Sequence, residues 1–380
     1  MLAPFSLDTY LPSFPSIAAD LGATPQEMQR TLSDYLWAFG VMMLVYGPLS
    51  DALGRRRVVL VALFGYALAS LGCALANDID TLMLMRIGQG LAAGAGLVIG
   101  RALVRDVFEG AQAQRVTADV MLFFAIAPAI APLVGGWLDS AFGWRAVFLF
   151  LAAMGLLIFA LVAAWMPETL PDHQRQPIHP LSVARAYGGM FGHLPFMLLA
   201  LMFGINFGGL FIYIASAPEL IYTHLGYGAR DFWRLFVPVV GGIVMGSFLA
   251  GRLAHRLTSH QGVSVGFVLM AVAALFNVAL THLPTPTAVT LIAPVALYAM
   301  GMAFSMPGLS LLGLDMYPAR RGMASGVQGF IQMSSNGLLA AFVVTLLAAS
   351  VQWLALGQLA IALSALGVWL IFLRAYPQTR

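Results

Sequence analysis

Asp8 lies in an apolar run, Met1 to Ala19, that three prolines interrupt, and a carboxylate in such a setting can carry a proton. About eleven residues separate it from the outer end of the run, which at 1.5 Å per residue is roughly 16 Å, near the middle of a bilayer. Desolvation favours the neutral acid and a nearby arginine the ionised one, so binding a cation or opening the site to water can switch the proton on and off. The competing role for Asp8 is to cap a proline-broken helix or to pair with a neighbour. Arg86, four or five residues into a later apolar run, is permanently charged and can tune that acid. Asp34, at the outer end of another run, can compete for the arginine or stand as an interfacial charge. Asp8, Arg86 and Asp34 are the candidate proton-coupling residues.

A second cluster is Gly47-Pro48-Leu49-Ser50-Asp51-Ala52-Leu53-Gly54-Arg55-Arg56-Arg57. Asp51 falls at a helix C-terminus, where the dipole disfavours a negative charge, so it needs a cationic or N-terminal partner. Gly54 can turn sharply. The three arginines also serve membrane topology. Among neutral groups, Asn206, Tyr213 and Ser216 lie in one apolar run. Gln328, Gln332, Ser335 and Asn336 form a single stripe in another by their spacing of four, three and one. With Asp8, Tyr35 and Trp37, the residues Asn206, Tyr213, Gln328, Gln332 and Asn336 make the candidate substrate-binding set, and hydrogen bonding between helices is the alternative for each. Twenty methionines and twenty-five phenylalanines suit an adaptable apolar cavity.

Pro128 and Pro132, beside Gly135-Gly136, predict a kinked, smooth helix. Gly90, Gly94, Gly96 and Gly100 point to close helix packing, not to a nucleotide loop, because no strand flanks them. All seven histidines fall in loops or at helix ends, so neither a histidine proton relay nor a metal site is expected, and protons are the coupling ion in place of any cofactor.

The elements that must hold these residues are membrane helices. Hydrophobic residues make up 60% of the 380 and charged ones 9%, and mean hydropathy is +0.87, outside the range of soluble domains. The 19 basic residues are all arginine, which excludes a P-loop lysine and a lysine Schiff base. Cys73 is alone, so no intramolecular disulfide can form. The pI near 9.2 reflects loop arginines and membrane topology, with no nucleic-acid partner implied.

Twelve apolar runs predict an all-α membrane protein of twelve helices: 1–20, 33–50, 58–76, 82–104, 117–138, 145–166, 195–217, 233–253, 263–282, 289–313, 323–349 and 352–373. They group into an N-terminal six-helix bundle, 1–166, and a C-terminal one, 195–380, joined by a polar linker, 167–194. Faint pseudo-symmetry supports two related halves: Asp106-Val107-Phe108 matches Asp315-Met316-Tyr317, and Gly47 to Arg57 matches Gly246 to Arg256. Thirteen arginines lie in the even-to-odd loops, the linker and the C-terminus against four, Arg30, Arg145, Arg230 and Arg234, in the alternate loops. The linker and C-terminus are therefore expected in the cytoplasm. The first helix reads as truncated by ten or more residues. A signal peptide is the alternative, but no basic n-region or cleavage site is present.

The Gly47–Arg57 string resembles the loop 2–3 signature of the major facilitator superfamily, G-x-x-x-D-x-x-G-R-[RK]. Arg86-Ile87-Gly88-Gln89-Gly90 looks like that family's helix 4 motif. Pro132-Leu133-Val134-Gly135-Gly136 is similar to its antiporter motif, with Ala127 and Ala131 where upstream glycines are usual. Asp8-Thr9-Tyr10-Leu11-Pro12 and Pro167-Glu168-Thr169-Leu170 resemble the bicyclomycin and chloramphenicol resistance branch of the drug:proton antiporters. Asp34 departs from the small or hydroxyl residues usual there.

The resemblance implies a monomeric secondary transporter of the inner membrane that exchanges protons for lipophilic drugs or antibiotics by alternating access. It implies that Gly47, Asp51, Gly54, Arg55, Arg56 and Asp106 latch the halves, and that Pro128, Pro132, Gly135 and Gly136 form the antiporter bend. A facilitator or proton-coupled importer of a sugar or metabolite is the nearest rival. A membrane-embedded enzyme or receptor is a distant one, since neither H-E-x-x-H nor G-x-S-x-G occurs.

Overall fold

The computed structural model describes residues 2–108, 110–171, 173, 175, 179–283 and 287–376. Among them there is no strand, and ten helices are long and apolar enough to cross a membrane, with Ile126–Phe142 a shorter apolar piece. The chain divides into two compact units, Met1–Tyr187 and Gly188–Arg380. Of the thirteen arginines counted for orientation, Arg380 and the side chain of Arg105 lie outside the described residues.

In the first unit the expected helix 1 is broken into α1, Leu2–Asp8, a 3-10 turn, Leu11–Ser13, and α2, Phe14–Leu21. Pro12 is the cause: it has no N–H to offer the carbonyl of Asp8 four residues back. Then follow α3 (Pro25–Leu53), α4 (Arg55–Ala74), α5 (Ile79–Val107), α6 (Gly110–Phe142) and α7 (Trp144–Trp165). α5 packs on α3 and α4, α4 packs on α7, and α6 lies against α1 and the 3-10 turn.

In α3 and α5, polar caps start the helix ahead of its apolar run. Thr24 and Glu27 form a reciprocal capping box with Pro25 at the first helical position, so α3 begins eight residues ahead of the expected 33. Asp78 caps α5 at Ile79. Asp34 is therefore the tenth residue of its helix, not an end residue, and Arg86 is the eighth of its own, about 11 Å in.

The stretch 167–194 is not all loop, since α8, Pro180–Phe191, forms within it. Tyr187 on α8 donates from its hydroxyl to the Leu44 carbonyl of α3 at 2.8 Å. The second unit holds α9 (Leu194–Ala215), α10 (Trp233–Leu253), α11 (Ser259–Thr281), α12 (Ala288–Asp315), α13 (Arg321–Leu338), the short α14 (Thr345–Leu347) and α15 (Val351–Ala375). Wider π turns follow two of them, Glu219–His224 after α9 and Leu339–Val344 after α13. His224 Nε2 lies 2.8 Å from the Ala348 carbonyl.

Candidate functional site

The break after Asp8 opens a polar cluster inside the first unit. Arg86 on α5 has none of its surface exposed. Its Nη1 donates to the Ser6 carbonyl of α1 at 3.1 Å and to Gln89 Oε1 at 2.8 Å. Gln89 Nε2 donates to Ser70 Oγ at 2.7 Å, Ser70 Oγ donates to the Tyr66 carbonyl at 2.8 Å, and the Tyr66 hydroxyl donates to Ser6 Oγ at 3.0 Å. Three helices, α1, α4 and α5, are thus tied around one guanidinium. The rings of Tyr10 and Tyr35 cover it, their centroids 4.2 and 4.4 Å from Cζ.

No carboxylate lies within 4.0 Å of Arg86 among the described residues. Asp8 is buried at the end of α1 and has no ion pair among the described residues. The guanidinium touches Ser6 and Tyr10, two residues before and two after Asp8, so it sits at the depth of that acid. Asp34 pairs with Arg30 one turn away on its own helix, at 3.8 Å, and not with Arg86.

Close helix approach makes the cluster possible. At Gly90 a Cβ would overlap the Tyr35 carbonyl, at Gly94 it would make only ordinary contact with Phe39 and Tyr46, and Gly96 and Gly100 meet nothing within 4 Å. Gly135 on α6 rests directly on the Thr9 carbonyl. Pro128 and Pro132 lie inside a continuous α6, and the Gly136 carbonyl accepts from Ser140 Oγ at 2.6 Å.

A second constellation joins the ends of α3, α4 and α5. Arg55 bridges two acids: it is in close contact with Asp51 and its Nε is 3.1 Å from Asp106 Oδ2, with Ser50 Oγ accepting from Nη1 at 2.6 Å. Gly54 has φ +94°, a backbone that other residues adopt at a cost. It offers no side chain to cap α4, whose first turn carries three arginines at the positive end of the helix dipole.

Glu168 supplies that cap from the segment after α7, accepting from the Arg55 and Arg56 backbone N–H groups at 2.9 and 3.2 Å. Thr169 Oγ1 donates to Asp106 Oδ2 at 3.2 Å, and Arg56 Nη2 donates to the Ala163 carbonyl at 2.7 Å. Sequence reading singled out Pro167-Glu168-Thr169-Leu170 only as a family string. Its structural signal was available: a lone Glu just past a helix end, facing an uncapped arginine-rich start. Gly47 touches nothing that a Cβ would meet.

In the second unit Asn206 and Tyr213 are occupied by hydrogen bonds to neighbouring helices. Asn206 Nδ2 donates to the Met302 carbonyl at 3.2 Å and its Oδ1 accepts from Ser305 Oγ at 2.9 Å, which joins α9 to α12. The Tyr213 hydroxyl accepts from Asn277 Nδ2 at 2.7 Å. Asn277 also donates to Gln358 Oε1 at 2.8 Å, and Gln358 Nε2 reaches the Gly209 carbonyl at 3.2 Å. Asn277 and Gln358 were missed because neither belongs to a polar stripe on its own helix.

Gln328, Gln332 and Asn336 are buried on α13; Gln328 Nε2 points at the Ser310 carbonyl at 3.4 Å, and the Asn336 amide oxygen has no hydrogen-bond partner. In the first unit, Tyr35 is fully buried and gives its ring to Arg86, and Trp37 is half-buried.

Helices without strands, lengths that cross a bilayer and charged residues enclosed among them define a multi-pass membrane protein. The chain matches the Major Facilitator Superfamily over residues 1–340 and belongs to that family. It is 32% identical over 345 residues to the uncharacterized MFS-type transporter YdgK of Bacillus subtilis (strain 168), covering 90% of this chain and 86% of that one. It is 30% identical over 336 residues to Multidrug resistance protein D of Escherichia coli (strain K12), covering 87% and 82%. The fold is shared with the crystal structure of a D-xylose-proton symporter, at a TM-score of 0.73 and 16% identity over 96% of this chain and 94% of that one.

Proposed function

We propose that this protein is a secondary transporter of the inner membrane that exports lipophilic drugs or antibiotics in exchange for protons, by alternating access. The observation that carries the reading is Asp8: an acid enclosed at a helix break, without an ion pair among the described residues, level with a permanent cation. Such an acid is free to exchange a proton when the site opens. Similarity to a protein named for multidrug resistance supports an exported drug as the counter-substrate. The shared fold with a sugar symporter leaves the direction open, so the site has to supply it. Asp8 is the proton carrier and Arg86 tunes it. The Asp51–Arg55–Asp106 cluster is the conformational latch, and the linker and C-terminus face the cytoplasm.

Efflux of ethidium and of chloramphenicol from cells expressing the protein tests this. Wild-type protein should drive uphill efflux that an uncoupler abolishes. Asp8→Asn, at matched expression, should lose uphill efflux at least tenfold while retaining downhill exchange. Uphill efflux at the wild-type rate in Asp8→Asn would remove Asp8 from the mechanism. Import of a polar sugar with no drug efflux would favour the importer.

A further inference from the structure

Pro48 stands inside α3 and has no N–H to offer the Leu44 carbonyl four residues back. A carbonyl freed in this way within a membrane helix has little water to turn to, and a neighbouring element has to serve it. Here the donor is the Tyr187 hydroxyl, at 2.8 Å, carried by α8. The pairing joins the linker to α3 three residues before the Gly47–Arg57 string begins, two helical turns, or about 10 Å, from Asp51. Tyr187 is also the last residue of the first unit, and Gly188 and Gly189 are the first two of the second. Both glycines are exposed and a Cβ on either would meet nothing within 4 Å, so packing does not require them. Two adjacent glycines weaken a helix. Past them α8 is held again, within the second unit, where the Phe191 ring meets that of Phe330 on α13 edge-on at 6.1 Å. α8 therefore has one attachment in each unit and its softest point between the two.

We propose that Tyr187 is a positioning residue for the transport cycle: its hydroxyl replaces the N–H that Pro48 lacks, anchors the linker to α3, and so makes the chain pivot at Gly188–Gly189 when the two units move. The proposal rests on the reading of the protein as an alternating-access exchanger. Without the anchor, movement of the second unit would first draw α8 off α3, and the swing would start from a loose linker. Packing of the Tyr187 ring does not depend on Pro48, whereas the hydroxyl answers the gap that Pro48 leaves. The two residues therefore act as a pair, and losing the hydroxyl should matter only while the proline is present.

Trypsin reads the anchor. Arg185 is exposed on α8, two residues before Tyr187, and cleavage after it requires that part of the helix to unwind. The full-length protein in detergent is digested briefly and the cut at Arg185 is quantified by mass spectrometry, alongside uphill ethidium efflux from cells at matched expression. Tyr187→Phe, which keeps the ring, should be cut about threefold to tenfold faster than wild type and should lower the efflux rate about threefold or more, with ethidium affinity unchanged. Pro48→Ala gives the Leu44 carbonyl a backbone donor, so adding Tyr187→Phe to it should alter neither cleavage nor efflux further. Should Pro48→Ala be lost from the membrane, Pro48→Leu carries the same comparison. Equal cleavage of wild type and Tyr187→Phe would overturn the anchor, as would a Tyr187→Phe effect of the same size with and without Pro48. Faster cleavage with wild-type efflux would remove Tyr187 from the cycle. Failure of the exchanger reading is seen separately, as no uncoupler-sensitive efflux in wild type, with the cleavage comparison still deciding the anchor.

Discussion

Asp78 shows how much one exposed side chain can set. Its Oδ1 accepts from the Thr81 backbone N–H at 2.7 Å and its Oδ2 from Thr81 Oγ1 at 2.8 Å, at the start of α5. The backbone hydrogen bond first, and the hydroxyl second, hold its carboxyl below the ordinary value. A carboxyl depressed in the folded state adds stability that is present above the unfolded value, about 4, and is lost as pH falls through the folded one. Asp78→Asn keeps an acceptor but cannot titrate. The melting temperature of wild type in detergent should exceed that of Asp78→Asn at pH 7, and the gap should close between about pH 5 and pH 3. A gap independent of pH would mean that the carboxylate charge plays no part. The same cap bears on Arg86. Asp78 before Thr81 and Thr24-Pro25-Gln26-Glu27 are legible N-terminal signals, yet a count of apolar residues passes over them, so it placed Arg86 and Asp34 too near the helix ends. Asn277 and Gln358 were illegible for another reason: their hydrogen-bond partners come from other helices, and no spacing within one helix announces them.

At the scale of elements, the start of α4 depends on parts distant in sequence. Asp51 and Gly54 were readable because the dipole argument demands a partner for the acid and the turn demands a glycine. Arg55 was readable as a partner for Asp51, but the second acid it holds, Asp106, and the cap from Glu168 lie 51 and 113 residues away. Three substitutions separate assembly from switching. Gly54→Ala should destabilise by about 1–3 kcal/mol, since its backbone suits glycine and a Cβ would meet the Glu168 carboxylate. Glu168→Ala should also lower the melting temperature, because it leaves the Arg55 and Arg56 N–H groups without their acceptor. Asp51→Ala, whose acid is half-exposed, should cut the efflux rate severalfold with near-normal yield and drug affinity. Loss of folded Asp51→Ala in detergent would assign the cluster to assembly instead.

For the whole molecule, composition alone excludes a soluble fold, and the twelve apolar runs anticipate every long helix among the described residues. What the runs miss are interruptions that hydropathy does not register: the break at Pro12, the π turns at Glu219–His224 and Leu339–Val344, and α8 within the polar stretch. Orientation is likewise a property of the entire chain, resting on thirteen loop arginines against four, and the protein's own cysteine makes it measurable. Cys73 has no exposed surface, so it should stay silent to a membrane-impermeant maleimide and leave a clean background. Arg230→Cys lies in the 3-10 turn Ala229–Asp231 that precedes α10, on the side expected outside, and Arg256→Cys lies just past the end of α10, on the side expected in the cytoplasm. In intact cells the Arg230→Cys protein should be labelled and the Arg256→Cys protein should not, while permeabilised cells should label both. The reverse pattern would invert the orientation and, with it, the direction of the proton movement proposed for Asp8.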